Sequence, residues 1–164
     1  MPSQFVNDCS KIIKENQFTI SFAESATAGR MAAEFSLTPE SGDILKGGLV
    51  CYDASIKENI LGISPDFVKE FTPESAEVTK EMAVKLKGLI ESDIQVSVTG
   101  LTTPGGSENA HKPVGTMFIH VLIHENSIAV HQVFQGSAEE IVLQAVDFAA
   151  ITISQELKAL KAIA

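Results

Sequence analysis

Residues 18–35 read FTISFAESATAGRMAAEF, and this stretch decides the fold. Its first five residues, 18–22, are rich in β-branched and aromatic side chains, which favour a strand because they pack well on a pleated surface. Residues 23–29 then predict a turn, and from there a helix is predicted to about Phe35. A strand that leads through a short turn into a helix is a building unit of layered α/β domains.

The alternation of strand and helix patterns continues on both sides of this segment. Apolar residues at helical spacing predict a first helix that ends near Asn16, and a capping box at 137–140 predicts a final helix to about Lys161. The elements predicted between them are strands over 47–52 and 94–99, helices over 55–61 and from Thr72 or Ser75 to about Ile90, and a hairpin of 114–124 with 127–135. This pattern predicts a three-layer α/β/α sandwich with a mixed sheet, in a single domain over residues 1–164.

Composition and charge exclude several classes of protein. The 164 residues are 45% hydrophobic and 20% charged, which excludes a disordered chain. Because 12 basic residues face 21 acidic ones, the net charge is −9, and we expect neither nucleic acid nor a membrane surface as a partner. Cys9 and Cys51 have no metal-ligand spacing, and the N-terminus lacks the pattern of a secretory signal, so a reduced, cytoplasmic protein is expected.

The predicted final helix is apolar on nearly every side. Its near-apolar stretch, 141–153, is too short to span a bilayer and contains Gln144 and Asp147. Such a helix is either sandwiched deeply within the domain or buried in an interface between subunits. From the second alternative we predict a homo-oligomer, with a dimer expected.

Ser25 lies in the turn between the predicted strand and helix, and it has two interpretations. A serine there can act as a nucleophile, with the oxyanion of its reaction held by free backbone N–H groups at the start of the helix. Alternatively, Ser25 or Thr27 only caps the helix, which is a common role of both residue types. The segment is not Gly-x-Ser-x-Gly, so the argument for an α/β-hydrolase does not apply.

A nucleophilic serine needs a base, and no histidine precedes His111. Lys57 is the available alternative, because adjacent parallel strands that end at one edge of a sheet would bring Ser25, Tyr52 and Lys57 together. To accept a proton at neutral pH, Lys57 must be neutral, so its pKa must fall by ~3 units from the free value of ~10.4, which requires burial. The alternative is an ordinary solvated lysine on a helix surface.

Two further groups of residues have a functional and a structural interpretation. The turn-rich loop 102–107 could offer backbone N–H groups to a phosphate or carbonyl, or it could simply connect two elements. If Glu125-Asn126 is a two-residue turn, His120 lies opposite His131, with His124 further along the same face. Two imidazoles without a carboxylate or thiolate make a poor zinc site, so we expect a partly polar sheet face and no metal.

Taken together, these motifs resemble the C-terminal domain family of CinA, whose active members are nicotinamide mononucleotide amidohydrolases. The resemblance runs from about Phe18 to Leu157. Its pieces are Ala23-Glu24-Ser25-x-Thr27, Gly47-Gly48-x-Val50-x-Tyr52, Lys57, Leu61-Gly62, Thr99-Gly100, Pro104-Gly105-Gly106, Lys112-Pro113-Val114-Gly115-Thr116 and Phe134-x-Gly136. Each piece is weak alone, whereas their common order and spacing are specific.

The resemblance implies an α/β/α fold and a reaction. Ser25 resembles the catalytic serine, Lys57 its general base, and Tyr52 a neighbouring hydroxyl that assists proton transfer or positioning. The implied reaction is hydrolysis of the carboxamide of nicotinamide mononucleotide to nicotinate mononucleotide and ammonia, with no metal or cofactor. The positions that the resemblance assigns to substrate binding are Thr27, Gly29, Thr99, Gly100, Thr102, Gly105 and Gly106.

The sequence departs from the family pattern at the residues that would handle a phosphate. After Phe134 the family usually has Gly-Asp-Arg and a second arginine four residues later, and these two places hold Ala138 and Val142 here. Arginine is the natural bidentate partner of a phosphate, and only Arg30 remains in the chain. Two alternatives therefore accompany the nucleotide amidase: an amidase of a different, uncharged amide, and a non-catalytic binding or assembly module.

Overall fold

The computed structural model describes residues 1–163. Helices and strands alternate along most of this range. The helices are α1 (Gln4–Glu15), α2 (Arg30–Ser36), α3 (Ser41–Ile44), α4 (Ala54–Asn59), α5 (Pro65–Phe71), α6 (Ala76–Leu89) and α7 (Ala138–Ile163). The strands are β1 (Ile20–Glu24), β2 (Leu45–Val50), β3 (Ile94–Gly100), β4 (Thr116–Ile123) and β5 (Asn126–Val133). Periodicity does not predict α3 and α5, because 4 and 7 residues are too few to establish a helical period.

The five strands form one mixed sheet in the order β2-β1-β3-β4-β5. The first three are parallel, and β4 and β5 run antiparallel to their neighbours. Apolar residues of α1, α2 and α7 pack on one face, and those of α5 and α6 pack on the other. The predicted α/β/α sandwich with a mixed sheet is therefore confirmed.

Strand β1 begins and ends two residues later than predicted. Thr19 precedes the strand: its N–H and its hydroxyl both donate to the carboxylate of Asp93 at 2.8 Å, while its carbonyl accepts from Ile94 N at 2.9 Å. The N–H of Phe18 donates to Ile13 O at the end of α1. Every residue of β1 is buried, and the strand ends at Glu24, directly before Ser25.

The β4–β5 hairpin has a different register from the predicted one. Its turn is His124-Glu125, so Ile123 pairs with Asn126, and His120 pairs with Ala129 instead of His131. The backbone of His124 adopts a φ of 53°, and its N–H and carbonyl are held by Asp93 O and Lys87 Nζ, both at 3.1 Å. The prediction that His120 faces His131 is wrong for this reason.

Hydrogen bonds at the two long helices fix where they begin. At α6 the side chain of Ser75, and not that of Thr72, accepts from Val78 N at 3.2 Å. Before α7, Ser137 N–H donates to Glu140 Oε2 at 2.7 Å and Glu140 N–H donates to Ser137 Oγ at 3.3 Å. These reciprocal bonds form the predicted capping box.

Helix α7 packs against α1, α2 and β4 within the chain. Burial within the domain, the first of the two alternatives for this helix, thus accounts for many of its apolar residues. Eight positions from Ile141 to Leu157 are buried. The homo-oligomer stays a prediction. Across residues 1–163, no helix is both long enough and apolar enough to cross a membrane.

Candidate active site

The candidate site lies where β1 and β2 end at the same edge of the sheet. Glu24, the last residue of β1, pairs with Val50, the last residue of β2. The backbone then continues this pairing beyond the strands, because Cys51 N–H donates to Glu24 O at 2.7 Å and Ser25 N–H donates to Val98 O at 3.0 Å. Ser25 is therefore fixed between the ends of β2 and β3, as expected for parallel strands.

Lys57, on helix α4, contacts the hydroxyl of Ser25. The helix is capped by Asp53, whose carboxylate accepts from Ser55 N at 2.8 Å, and Lys57 is its one buried residue. Lys57 Nζ lies 3.0 Å from Ser25 Oγ and 2.9 Å from Cys51 O, with Tyr52 O at 3.4 Å. Lys57 is 1% exposed, so it is not a solvated helix lysine.

Burial lowers the pKa of Lys57 below the ordinary value of a lysine, because desolvation disfavours the charged ammonium form. Nearby negative groups, Glu74 and Asp53 among them, raise this pKa and offset part of the effect. Burial also raises the pKa of the Cys51 thiol to about 11, so the thiol carries no charge at neutral pH. Desolvation is the largest of these effects on Lys57, so the net shift of its pKa is downward.

Glu24 holds the turn that contains Ser25, and sequence reasoning missed this role. Its carboxylate is 1% exposed and accepts hydrogen bonds from the turn and from the start of α2. The donors are Thr27 Oγ1 at 2.5 Å, Gly29 N at 3.0 Å, Met31 N at 2.9 Å and Ala32 N at 2.7 Å. One sequence-based interpretation was that Ser25 or Thr27 caps α2. The structure shows that the Glu24 carboxylate binds the first N–H groups of α2, whereas the Ser25 hydroxyl contacts Lys57. A carboxylate between a buried strand and a turn was the available signal.

The turn after Ser25 leaves backbone donors free for a ligand. The N–H of Ala28 donates to Ser25 O, and the backbone is left-handed at Ala28 (φ 47°) and Gly29 (φ 94°). The N–H groups of Ala26 and Thr27 have no hydrogen-bond partner among residues 1–163. Ala26 also lines the cavity beside Ser25. Its N–H is the natural donor to an oxyanion formed at this serine.

A cavity of about 230 Å³ opens over Ser25. The residues that line it are Ser25, Ala26, Tyr52, Glu74, Gly100, Leu101, Thr102, Thr103, Pro104, Gly105 and Gly106. Lys57 is absent from this lining and is buried, in contact with Ser25. The cavity is large enough for a small organic molecule in contact with the serine hydroxyl.

Four of the seven predicted substrate-binding residues line this cavity, namely Gly100, Thr102, Gly105 and Gly106. Of the other three, Thr27 and Gly29 donate to Glu24, and the Thr99 hydroxyl is 2.7 Å from that of Thr79 on α6. These three residues support the walls of the site without lining it. Their assignment to substrate binding stays a prediction, as does that of the four lining residues.

Tyr52 contributes to the site through its main chain. Its carbonyl is the third neighbour of Lys57 Nζ, while its side chain is 65% exposed at the mouth of the cavity. The phenol forms no hydrogen bond within the described part of the chain. A catalytic role for this hydroxyl stays a prediction.

The family model of the CinA C-terminal domain matches residues 3–157. This chain belongs to that family. A CinA-like protein from Petrotoga mobilis is 39% identical over 139 residues, which cover 84% of this chain and 34% of the relative. One from Thermotoga neapolitana is 33% identical over 148 residues, which cover 90% of this chain and 36% of the relative. The chain thus spans about a third of the length of these relatives.

Solved structures of CinA superfamily proteins share the fold. One from Klebsiella pneumoniae superposes with a TM-score of 0.90 at 22% identity, over 95% of this chain and 97% of that one. Another, from Enterobacter cloacae, gives a TM-score of 0.85 at 25% identity, over 93% of this chain and 92% of that one. The sandwich described above is therefore the CinA fold.

A hydrogen-bond network of this CinA domain joins Lys112, Ser107 and Glu74, of which Glu74 lines the cavity, and sequence reasoning did not predict this network. Lys112 Nζ donates to Thr72 Oγ1 at 3.1 Å, to Glu74 O at 2.9 Å and to Ser107 Oγ at 2.9 Å. The Ser107 hydroxyl in turn donates to Glu74 Oε2. Lys112 belongs to the Lys-Pro-Val-Gly-Thr motif, which was the available signal for this contact.

The remaining cationic and imidazole side chains lie elsewhere. Arg30 forms ion pairs with Glu34 at 2.7 Å and with Glu139 at 3.6 Å, and it does not line the cavity. His120 Nε2 is 2.8 Å from Ser127 Oγ, and desolvation lowers the pKa of His120 to about 4. Within residues 1–163, no three metal-ligating side chains are grouped closely enough to hold a metal ion.

Proposed function

We propose that this CinA domain is a serine–lysine amidohydrolase that hydrolyses a carboxamide of the nicotinamide mononucleotide type to the carboxylate and ammonia. The observation that carries the proposal is the 3.0 Å contact between Lys57 Nζ and Ser25 Oγ. A buried amine of lowered pKa beside a hydroxyl at the floor of a cavity is the arrangement that activates a serine without histidine.

The main chain around Lys57 supports its role as a base. A neutral lysine amine has two N–H donors and one lone pair. Cys51 O at 2.9 Å and Tyr52 O at 3.4 Å can accept from the two donors. The lone pair is then left for the third neighbour, Ser25 Oγ, whose proton it can accept.

The reaction is balanced with these groups and one water molecule. Ser25 Oγ attacks the amide carbon while Lys57 takes the hydroxyl proton, and a tetrahedral oxyanion forms that the Ala26 N–H can hold. Lys57 returns the proton to the leaving nitrogen, the C–N bond breaks, and ammonia departs from an acyl-Ser25 intermediate. Water then attacks the ester carbon with loss of a proton to Lys57. The C–Oγ bond breaks to give the acid, and Lys57 returns the proton to Oγ, which restores the Ser25 hydroxyl and the neutral amine.

The test is release of ammonia from nicotinamide mononucleotide, which is the substrate that the family resemblance implies. We expect Ser25→Ala to abolish turnover and Lys57→Met to lower kcat by about 10²–10⁴-fold, the range of a lost general base. Methionine keeps the length of the buried lysine stem, and Lys69→Met, on the exposed face of α5, is the matched control with unchanged activity. Turnover that persists in Ser25→Ala would refute the mechanism, and no turnover of any amide would favour a binding module.

A further inference from the structure

Among the described residues that line the cavity over Ser25, Glu74 is the only one with a charged side chain. It directly precedes Ser75, the cap of α6, and is partly buried. Its Oε2 accepts from the Ser107 hydroxyl at 2.5 Å, whereas Oε1 has no hydrogen-bond partner within residues 1–163. The cavity therefore contains one fixed carboxylate with an unused oxygen.

No nearby cation is available to neutralise Glu74 by direct contact. Glu74 forms no ion pair with any described residue. The ammonium of Lys112 lies one hydroxyl away, and its three protons are already donated to Thr72, Ser107 and the Glu74 carbonyl. Lys57 carries no charge when it acts as a base.

The loop on the same side of the cavity adds a second negative charge. Glu108 Oε1 accepts from Gly105 N at 2.7 Å, and this backbone hydrogen bond lowers the pKa of Glu108 below its ordinary value. The Gly105 N–H is thereby occupied and cannot bind a phosphate oxygen. A phosphate dianion in this cavity would meet the Glu74 carboxylate, and no Lys or Arg is among the described residues that line the cavity.

We propose that Glu74 selects a cationic carboxamide that carries no phosphate, and that this is the substrate class of the site. The proposal rests on the proposed amidohydrolase function and specifies its substrate. A positive ring or amine next to Glu74 would be attracted in a cavity partly shielded from solvent, while an anionic group would be repelled. The positive charge then lies on the substrate instead of on the arginines that Ala138 and Val142 replace.

Two matched pairs of amides separate charge from phosphate. The first pair is 1-methylnicotinamide, a pyridinium cation, and neutral nicotinamide; the second is nicotinamide riboside and its phosphate ester, nicotinamide mononucleotide. We expect kcat/KM to be at least about tenfold higher for the cation in the first pair and for the phosphate-free compound in the second. Ammonia release is measured for all four, with Ser25→Ala as the blank.

Variants assign the preference to Glu74. Glu74→Gln keeps an acceptor for Ser107 and is expected to reduce both ratios of kcat/KM about tenfold, while Glu74→Asp retains most of each preference. Ratios of kcat/KM are compared for two reasons. A pyridinium activates its own carbonyl, but this effect is the same in wild type and variant. Glu74 also affects the pKa of Lys57, but this effect is the same for both amides of a pair. Glu77→Gln, an equal charge change at an exposed position of α6, is the matched control and should leave the ratios unchanged.

The outcomes distinguish the two proposals. Ser25-dependent turnover with kcat/KM for the mononucleotide equal to or above that for the riboside would overturn the substrate class and leave the amidohydrolase intact. Ratios that are the same in wild type and Glu74→Gln would overturn the role of Glu74. Absence of Ser25-dependent ammonia from all four amides would overturn the proposed function and this inference with it.

Discussion

Glu24 and Ser25 are adjacent in the chain, and their side chains bind different partners. The Glu24 carboxylate accepts four hydrogen bonds from the turn and the first residues of α2, and the Ser25 hydroxyl contacts Lys57 Nζ at 3.0 Å. Because Glu24 satisfies the start of the helix, Ser25 is available for chemistry. The turn is thus stabilised by one residue, while the hydroxyl of the next is left to contact Lys57.

Glu24→Gln is expected to destabilise the protein. The amide would place an N–H₂ group against N–H donors in a site that is 1% exposed, so at least one buried donor loses its partner. We expect the free energy of unfolding to fall by about 2–4 kcal/mol, as measured by urea denaturation. Glu15→Gln, at the exposed end of α1, is the control. An unchanged unfolding midpoint for Glu24→Gln would contradict the capping role.

The pH dependence of kcat/KM is expected to report the titration of Lys57. The base must be neutral, so kcat/KM rises as pH increases through the pKa of Lys57 in the free enzyme. Because burial lowers this pKa, the rise should lie below the pH at which an exposed lysine titrates. Glu74 raises the same pKa, so Glu74→Gln should move the rise to lower pH. A rise at the ordinary lysine pKa would exclude a desolvated base.

Gly100→Ala is expected to disturb the floor of the cavity. A Cβ at this position would lie 2.5 Å from Thr116 O and would also clash with Met117 Sδ, so β3 and β4 would have to separate locally. We expect a loss of about 1–3 kcal/mol in unfolding free energy, with reduced activity. Gly88→Ala, in α6 with no atom within 4 Å of the added Cβ, should instead stabilise by about 0.5–1 kcal/mol. Equal effects of the two variants would rule out this steric explanation.

Tyr52→Phe tests which part of this residue matters. The carbonyl that contacts Lys57 is retained in the variant, and the phenol it removes is largely exposed. We therefore expect kcat to fall by less than about tenfold, below the range of a lost acid or base. A drop as large as that in Lys57→Met would assign proton transfer to the phenol.

The layers of the fold and the Ser25–Lys57 pair could be predicted from the sequence, because both depend on local patterns. Strand and helix periods differ over 18–35, and residues that follow adjacent parallel strands meet at one edge. The hairpin register could not be predicted, since it depends on contacts of His124 with Asp93 and Lys87, which are distant in sequence. The place of Glu74 in the cavity lining was missed for the same reason, because the hydrogen bonds that hold it come from Ser107 and Lys112.

Both carbonyls beside the Lys57 amine belong to the main chain, at positions 51 and 52. Every amino acid supplies such a carbonyl, so the orientation of the Lys57 amine does not depend on which side chains occupy those two positions. The residue at 52 can consequently diversify during evolution to suit new ligands, while the contact between Lys57 and Ser25 keeps its alignment.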